Sequence, residues 1–337
     1  MARTDAHAER PELTVVLSTL GNYEVLGRVL DGYGRQTVAP GTFEMLVVSD
    51  RAEPDPAAVD ATIGDRPYPV RRLTGHVPGL SGNRNTGWAE ANAPIVLFTD
   101  NDTIPVQRLV SEHLAWHARH PAEEVAVSGR VRWARGMKVT PFMKWLELGI
   151  QFDFRGIRRG QASWAQLYGA NGSIKRSFLE RVGGYDEDRL PYLYEDLDWA
   201  YRAREHGLRV MFNRRAVVDH LKPASIENFQ NRAPQLAAAE WQFCQIHPEV
   251  EPWFHVRFAD VWSREVGGRK AARAARFVPQ RAPWLGPLVW ERANLYWLKQ
   301  IAPYFLPEWD RLATGAGRSL QPSASAVGER NTGLAGS

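Results

Sequence analysis

Short apolar runs alternate with amphipathic stretches through the first two-thirds of the chain. The first run, Leu13-Thr-Val-Val-Leu17, is rich in β-branched residues and closes in Ser18-Thr19 and then Gly21-Asn22, as a buried strand entering a loop does. A helix follows through Val25, Val29 and Leu30. Phe43-Glu-Met-Leu-Val-Val48 repeats the run and ends in Ser49-Asp50 before a loop carrying Pro54 and Pro56. A weaker strand over 70–73 leads to Gly79-Leu-Ser-Gly82, a helix over 83–91 and the run Pro94-Ile-Val-Leu-Phe98. This alternation predicts an α/β fold, a mostly parallel central sheet with helices on both faces and ligands bound at the carboxyl ends of its strands.

Further along, 125–133 reads as a strand and 141–154 as an amphipathic helix carrying Phe142, Trp145, Leu146 and Ile150. Residues 164–174 fit no single period, and 178–182 is short and helical. Residues 195–206 form a helix with acidic residues at its start and Gly207 as its stop. Short strands are expected over 208–212 and 216–218. After about Lys222 the pattern changes to helices without strands, including one over 230–246. The expected organisation is therefore a disordered amino terminus (1–11), an α/β domain (12–222), a helical extension (223–313) and a Gly/Ser/Ala-rich disordered tail (314–337).

Composition narrows the classes. With 44% hydrophobic and 24% charged residues in 337, the chain can bury a large core, which excludes global disorder. A formal charge of +4 suits a phosphate-bearing substrate or an anionic surface and is too weak to argue for nucleic acid. The single cysteine, Cys244, excludes an intramolecular disulfide and a thiolate metal cluster, so cytoplasmic is the expected location. The first dozen residues lack the apolar stretch of a secretory signal, and no run of about 18 apolar residues occurs, so no membrane crossing is expected. Arg269-Lys-Ala-Ala-Arg-Ala-Ala-Arg276 precedes Trp284-Leu-Gly-Pro-Leu-Val-Trp290 and Leu295-Tyr-Trp-Leu298. That stretch either lies on an anionic bilayer or packs the extension against the α/β domain or a second subunit; packing is the commoner use of helical aromatics.

Four segments carry candidate chemistry. Asp100-Asn101-Asp102 follows a buried strand, where residues two apart project to one side, so both carboxylates can share a hard cation such as Mg2+ or Mn2+ that completes its shell with substrate phosphates. Taken alone, the same triplet is ordinary turn chemistry. Glu195-Asp196 sits in a first helical turn, where the dipole favours ionised carboxylates and a general base would be poised; capping alone also explains it. His220, just after an apolar strand, can add an imidazole nitrogen to a carboxylate-bound metal. Arg84, in Ser81-Gly-Asn-Arg-Asn-Thr-Gly87, can meet phosphate or base oxygens, in a loop that is neither a Walker motif nor a dinucleotide fingerprint.

In order along the chain, Ser18-Thr19, Asp50, Arg84-Asn85, Asp100-Asn-Asp102, Gly169-Ala-Asn-Gly172 with Gly183-Gly-Tyr-Asp186, Glu195-Asp196 and His220 resemble a family 2 inverting glycosyltransferase of the GT-A fold. The likeness spans approximately residues 13–220. It implies a GT-A catalytic domain over 12–222 in which Asp50 contacts uracil and Arg84 faces the nucleotide. Ser18, Thr19 and Asn101 would join the donor site, Asn171 and Gly172 would line the sugar pocket, and Asp100, Asp102 and His220 would hold Mn2+ or Mg2+. Asp196, beside Glu195, would be the catalytic base. The implied partners are a UDP-linked sugar donor and an acceptor hydroxyl on a glycan, lipid carrier or small natural product. Two departures stand out: Leu20-Gly21-Asn22 replaces the usual continuation of the first strand, and Asp50 is followed by Arg51-Ala52. The rival readings are a sugar nucleotidyltransferase, disfavoured by the absence of a Gly/Arg-rich triphosphate loop after the first strand, and a non-catalytic binding protein on the same fold.

Overall fold

The structure is a computed structural model that describes residues 10–147, 150–154, 157, 160–264, 268–274 and 286–315. The termini expected to be disordered fall outside the described residues except for positions 10, 11, 314 and 315, and Arg276, Trp284 and Leu285 also lie outside them.

Strands β1 (Leu13–Thr19), β2 (Phe43–Ser49), β3 (Val70–Thr74) and β4 (Ile95–Asp100) form a parallel set in the order β3-β2-β1-β4. Every residue of β1 and β2 is buried, which explains their near-continuous apolar sequences. Leu13, Val15 and Leu17 face α1 (Tyr23–Tyr33), α2 (Pro56–Ile63) and α4 (Leu109–Arg119). Val16, Val48 and Phe98 face the other way, into a core with α6 (Arg176–Val182) and α7 (Glu195–Ala203). On this second side α3 (Leu80–Ala89) lies so close that a Cβ on Gly87 would stand 2.2 Å from Val16 Cγ1.

The other half of the sheet is mixed. β5 (Thr103–Pro105), β6 (Val125–Trp133), β7 (Gln161–Ala162), β8 (Asn171–Lys175) and β9 (Arg209–His220) extend it in the order β4-β8-β6-β9-β5. β8 runs antiparallel to both β4 and β6, β6 runs parallel to β9, and β5 and β7 pair antiparallel with β9. The parallel strands of the mostly parallel sheet expected from the sequence are gathered in the amino-terminal half, with β6 and β9 a further parallel pair. The two short strands expected at 208–212 and 216–218 are one strand, whose register against β6 slips at Gly129/Arg130, so the residues between Asn213 and Val217 bulge.

Where the halves meet, a chain of buried side chains crosses from β8 to α4. Lys175 Nζ donates to His117 Nδ1 (3.2 Å), which places the proton of His117 on Nε2, facing Ser173 Oγ (2.8 Å). Ser173 then donates to His113 Nδ1 (2.7 Å), and His113 Nε2 donates to Asn171 Oδ1 (2.9 Å). The Asn171 amide ends the chain on the carbonyls of Ala216 and Arg130. Burial lowers His113 to about 4 and His117 to about 3, so both rings are neutral.

The helix expected over 141–154 is shorter: α5 covers Pro141–Glu147, and Phe152 takes a left-handed backbone (φ 60°). Beyond β9 come α8 (Ile226–Ile246), α9 (Trp253–Trp262), α10 (Arg269–Ala274) and α11 (Gly286–Ala313). With α5, helices α8, α9 and α11 enclose a third core containing Phe142, Trp145, Phe258, Leu298, Ile301 and Phe305, against which Trp290, Leu295 and Trp297 are packed, while Ala272 of α10 packs on Ala293. Those carboxy-terminal aromatics are therefore core, while Trp262 (51% exposed) and Leu288 (63%) face outward. Among the described residues, no helix is long and apolar enough to cross a membrane.

Candidate functional site

The carboxyl ends of β1, β2 and β4 bring Ser18, Thr19, Asp50, Asp100 and Asn101 to one rim, with Ser18 opposite Asp100 in register. Asn101 Nδ2 donates to Thr19 Oγ1 (3.0 Å), while Ser18 Oγ is buried without a partner. The loop after β1 is left-handed at Gly21 (φ 60°) and Asn22 (φ 58°), and Glu53 fixes it by accepting from Gly21 N–H (2.7 Å) and the Tyr23 hydroxyl (2.6 Å). Sequence reasoning left Glu53 out; its acidic side chain three positions past Asp50 carries no periodic signal.

Asp50 is 2% exposed and spends its carboxylate internally. Oδ2 accepts from Gly79 N–H (2.9 Å) and Asn83 Nδ2 (3.0 Å), and Oδ1 accepts from Ala52 N–H (2.8 Å). It ties the end of β2 to the start of α3.

Arg84 organises the opposite wall. Its Nη1 donates to Glu195 Oε1 (2.9 Å) and Asp196 Oδ1 (2.5 Å), and its Nη2 lies 3.7 Å from Asp100 Oδ1. At 2% exposure, with its guanidinium 5.5 Å over the Tyr185 ring, it spends its charge on these carboxylates. Four carboxylates, counting Asp102, thus stand around one guanidinium and one imidazole. Burial, reinforced by Asp196, pushes Glu195 above the usual carboxylate range; burial, reinforced by Asp102 and Asp196, does the same for Asp100. Glu195 Oε2 is buried and unpartnered.

Asp196 Oδ2 accepts from Gly169 N–H (2.7 Å). Gly169 is obligatory for steric reasons: a Cβ there would lie 2.3 Å from Arg84 Nη2 and 2.6 Å from Asp196 Oδ1. Asn171, by contrast, is turned away from this wall. It is 1% exposed and spends its amide on His113, Arg130 and Ala216. Gly172 is a β8 residue opposite Phe98 and Ser128, and a Cβ there would stand 2.8 Å from Tyr168 O.

The three expected metal ligands converge only in part. β5 pairs Thr103 with His220, which sets Asp102 Oδ2 3.7 Å from His220 Nε2. Two bonds of about 2.1 Å to a common ion reach at most about 4.2 Å, so this oxygen and nitrogen fit one divalent cation. Trp133 and Phe152 pack against the imidazole, and its Nδ1 faces Lys222 O (3.1 Å), which leaves Nε2 for the ligand. Asp100 leans instead toward Arg84. No three His, Cys, Asp or Glu side chains among the described residues form a ready cage.

A family model for Glycosyltransferase like family 2 matches residues 11–237. Validoxylamine A glucosyltransferase of Streptomyces hygroscopicus subsp. limoneus is 26% identical over 237 residues, covering 60% of this chain and 50% of that protein. Glucosyl-dolichyl phosphate glucuronosyltransferase of Haloferax volcanii is 26% identical over 221 residues, covering 62% of this chain and 69% of that protein. The chain thus spans about half the length of the first of these relatives. Among solved structures, a mannosyltransferase from Pyrobaculum calidifontis in complex with GDP-Man and Mn2+ superposes with a TM-score of 0.51 at 20% identity, over 95% of this chain and 79% of that one. That likeness is one of GT-A fold.

Proposed function

The chain belongs to the glycosyltransferase-like family 2, and we propose that it transfers a sugar, with inversion, from a UDP-linked donor to an acceptor hydroxyl. The observation that carries this reading is the gathering of Asp100, Glu195 and Asp196 around Arg84 while Asp102 stands against His220.

Asp196 is the base. Arg84 and the Gly169 amide hold its carboxylate in one orientation. Oδ2, the oxygen not bonded to Arg84, takes the proton as the acceptor oxygen attacks the anomeric carbon and the bond from that carbon to the diphosphate breaks. Such proton transfer is typically worth about 10²- to 10⁴-fold. Glu195 shares Arg84 and so sets how much positive charge Asp196 feels. Asp102 and His220 would hold Mn2+ or Mg2+, with Asp100 beside them. Such an ion, when bound, supplies the positive charge that the departing diphosphate needs. Asp50 and Glu53 shape the nucleotide side by fixing the backbone around it.

The domain division at about residue 222 and the location follow the same reading. Arg264, Arg269, Lys270 and Arg273 are exposed, as are Trp262 and Leu288, a composition suited to peripheral contact with anionic lipid. Co-sedimentation with anionic but not zwitterionic vesicles tests that part. The transfer reaction is tested by thermal-shift screening of nucleotide sugars with Mn2+, followed by assays of donor turnover: stabilisation by UDP-sugars and release of UDP are expected. Release of pyrophosphate from a sugar phosphate and a nucleoside triphosphate would overturn the reading.

A further inference from the structure

The carboxylate of Glu240 is fully buried in α8, outside the site described above. Its Oε1 accepts from the Tyr194 hydroxyl (2.5 Å) and from Phe254 N–H (2.7 Å), and its Oε2 accepts from His255 N–H (2.8 Å). Phe254 and His255 are in the first turn of α9, so Glu240 satisfies amides that the helix itself leaves unpaired. One buried carboxylate therefore joins α8, the start of α9 and the residue immediately before Glu195-Asp196.

Tyr194 needs that support. Leu193 (φ 62°) and Tyr194 (φ 61°) are consecutive non-glycine residues in the left-handed region, which only surrounding contacts can hold. The Tyr194 ring packs 5.2 Å from Phe243 of α8, and its carbonyl accepts from Asp198 N–H (2.8 Å) to start α7. The same helix pair is joined again where Asp198, itself fully buried, accepts from His247 Nε2 (2.9 Å). The direction in which Asp196 leaves this strained turn is set by how Tyr194 is anchored.

We infer that Glu240 is a positioning residue: through the Tyr194 hydroxyl, the helical extension aims Asp196 at Gly169 and the cleft. The inference rests on the assignment of Asp196 as base only for its catalytic consequence; the aim itself is a structural quantity.

Tyr194→Phe removes one hydroxyl and leaves Glu240 its two amide partners. In the full chain, hydrogen exchange at the Gly169 amide, whose acceptor is Asp196, should rise about tenfold in Tyr194→Phe, while exchange in β1 and β2 stays unchanged. Turnover should fall about tenfold with the KM for donor within twofold. Tyr201→Phe, which breaks the other hydroxyl bond between α7 and the segment following α8, at Glu249 (2.7 Å), should change neither readout. Unchanged exchange at Gly169 in Tyr194→Phe would overturn the inference, as would faster exchange with full turnover where Asp196→Asn is inactive. If Asp196→Asn itself keeps turnover, the base assignment fails and Gly169 exchange alone decides the positioning role. Glu240→Gln, which puts an amide where acceptors are needed, should reproduce both effects if it folds.

Discussion

The two walls of the cleft are built differently. On the side proposed for the nucleotide, Asp50 and Glu53 hold the loops after β1 and β2 and the start of α3, so a compact set of neighbouring strand ends largely fixes its own shape. On the base side, Arg84 of α3, Gly169 before β8 and Asp196 of α7 meet across more than a hundred residues, and α8 props the turn that aims them. The first wall depends on adjacent loops; the second depends on the whole domain and its extension. Damage to the first should therefore show in binding and damage to the second in turnover.

Asp196→Asn breaks the second wall most directly. Turnover should drop by about 10²- to 10⁴-fold while calorimetric donor binding persists; near-normal turnover would remove Asp196 from the role. Asp102→Ala strikes the floor between the walls and should weaken UDP binding in the presence of Mn2+ by about tenfold or more, since even indirect supports of a metal are worth about 10- to 100-fold. Equal affinity in wild type and variant would discount the Asp102 and His220 pair. Gly169→Ala forces a methyl group between Arg84 and Asp196, so a loss of about 1–3 kcal/mol in stability with a parallel fall in turnover is expected from denaturation and kinetics. Glu53→Ala, on the first wall, should raise the donor Kd several-fold and leave maximal turnover intact.

A smaller effect concerns acidity. Burial raises the pKa of Glu195 above its unfolded range, so it binds protons better folded than unfolded and its contribution to stability is lost as pH rises from the usual carboxylate range toward neutrality. Measured as a difference, the melting temperature of Glu195→Gln relative to wild type should rise across that interval. A flat difference would mean that Arg84 keeps Glu195 ionised.

The parallel strands were legible because β1, β2 and β4 are buried on both faces and their sequences are almost uninterrupted apolar runs. β5 was not: three residues ending in proline carry no period, yet this strand is what delivers Asp102 to His220. The acidic pairs and His220 announced themselves by residue type. Arg84's burial, Asn171's inward turn and the roles of Gly169, Glu53 and Glu240 depend on contacts between distant segments, which one-dimensional spacing does not encode. The aromatic stretch near the carboxyl terminus looked alike along its length, and packing divided it, with Trp290 and Trp297 placed against the third core and Leu288 outside.

The one-way chain from Lys175 to Asn171 has a price in acid. Every proton in it points along the same direction, so an extra proton on His117 Nδ1 meets the Lys175 ammonium, and one on His113 Nδ1 forces the Ser173 hydroxyl to turn from donor to acceptor. Both rings must stay neutral when folded but gain protons freely when unfolded, and the penalty grows as pH falls from about 6.5 toward 4. Tolerance of low pH should thus be limited at the seam between the two halves of the sheet, and replacing His117 with a neutral isostere such as glutamine should extend it if the bonds to Lys175 and Ser173 are kept.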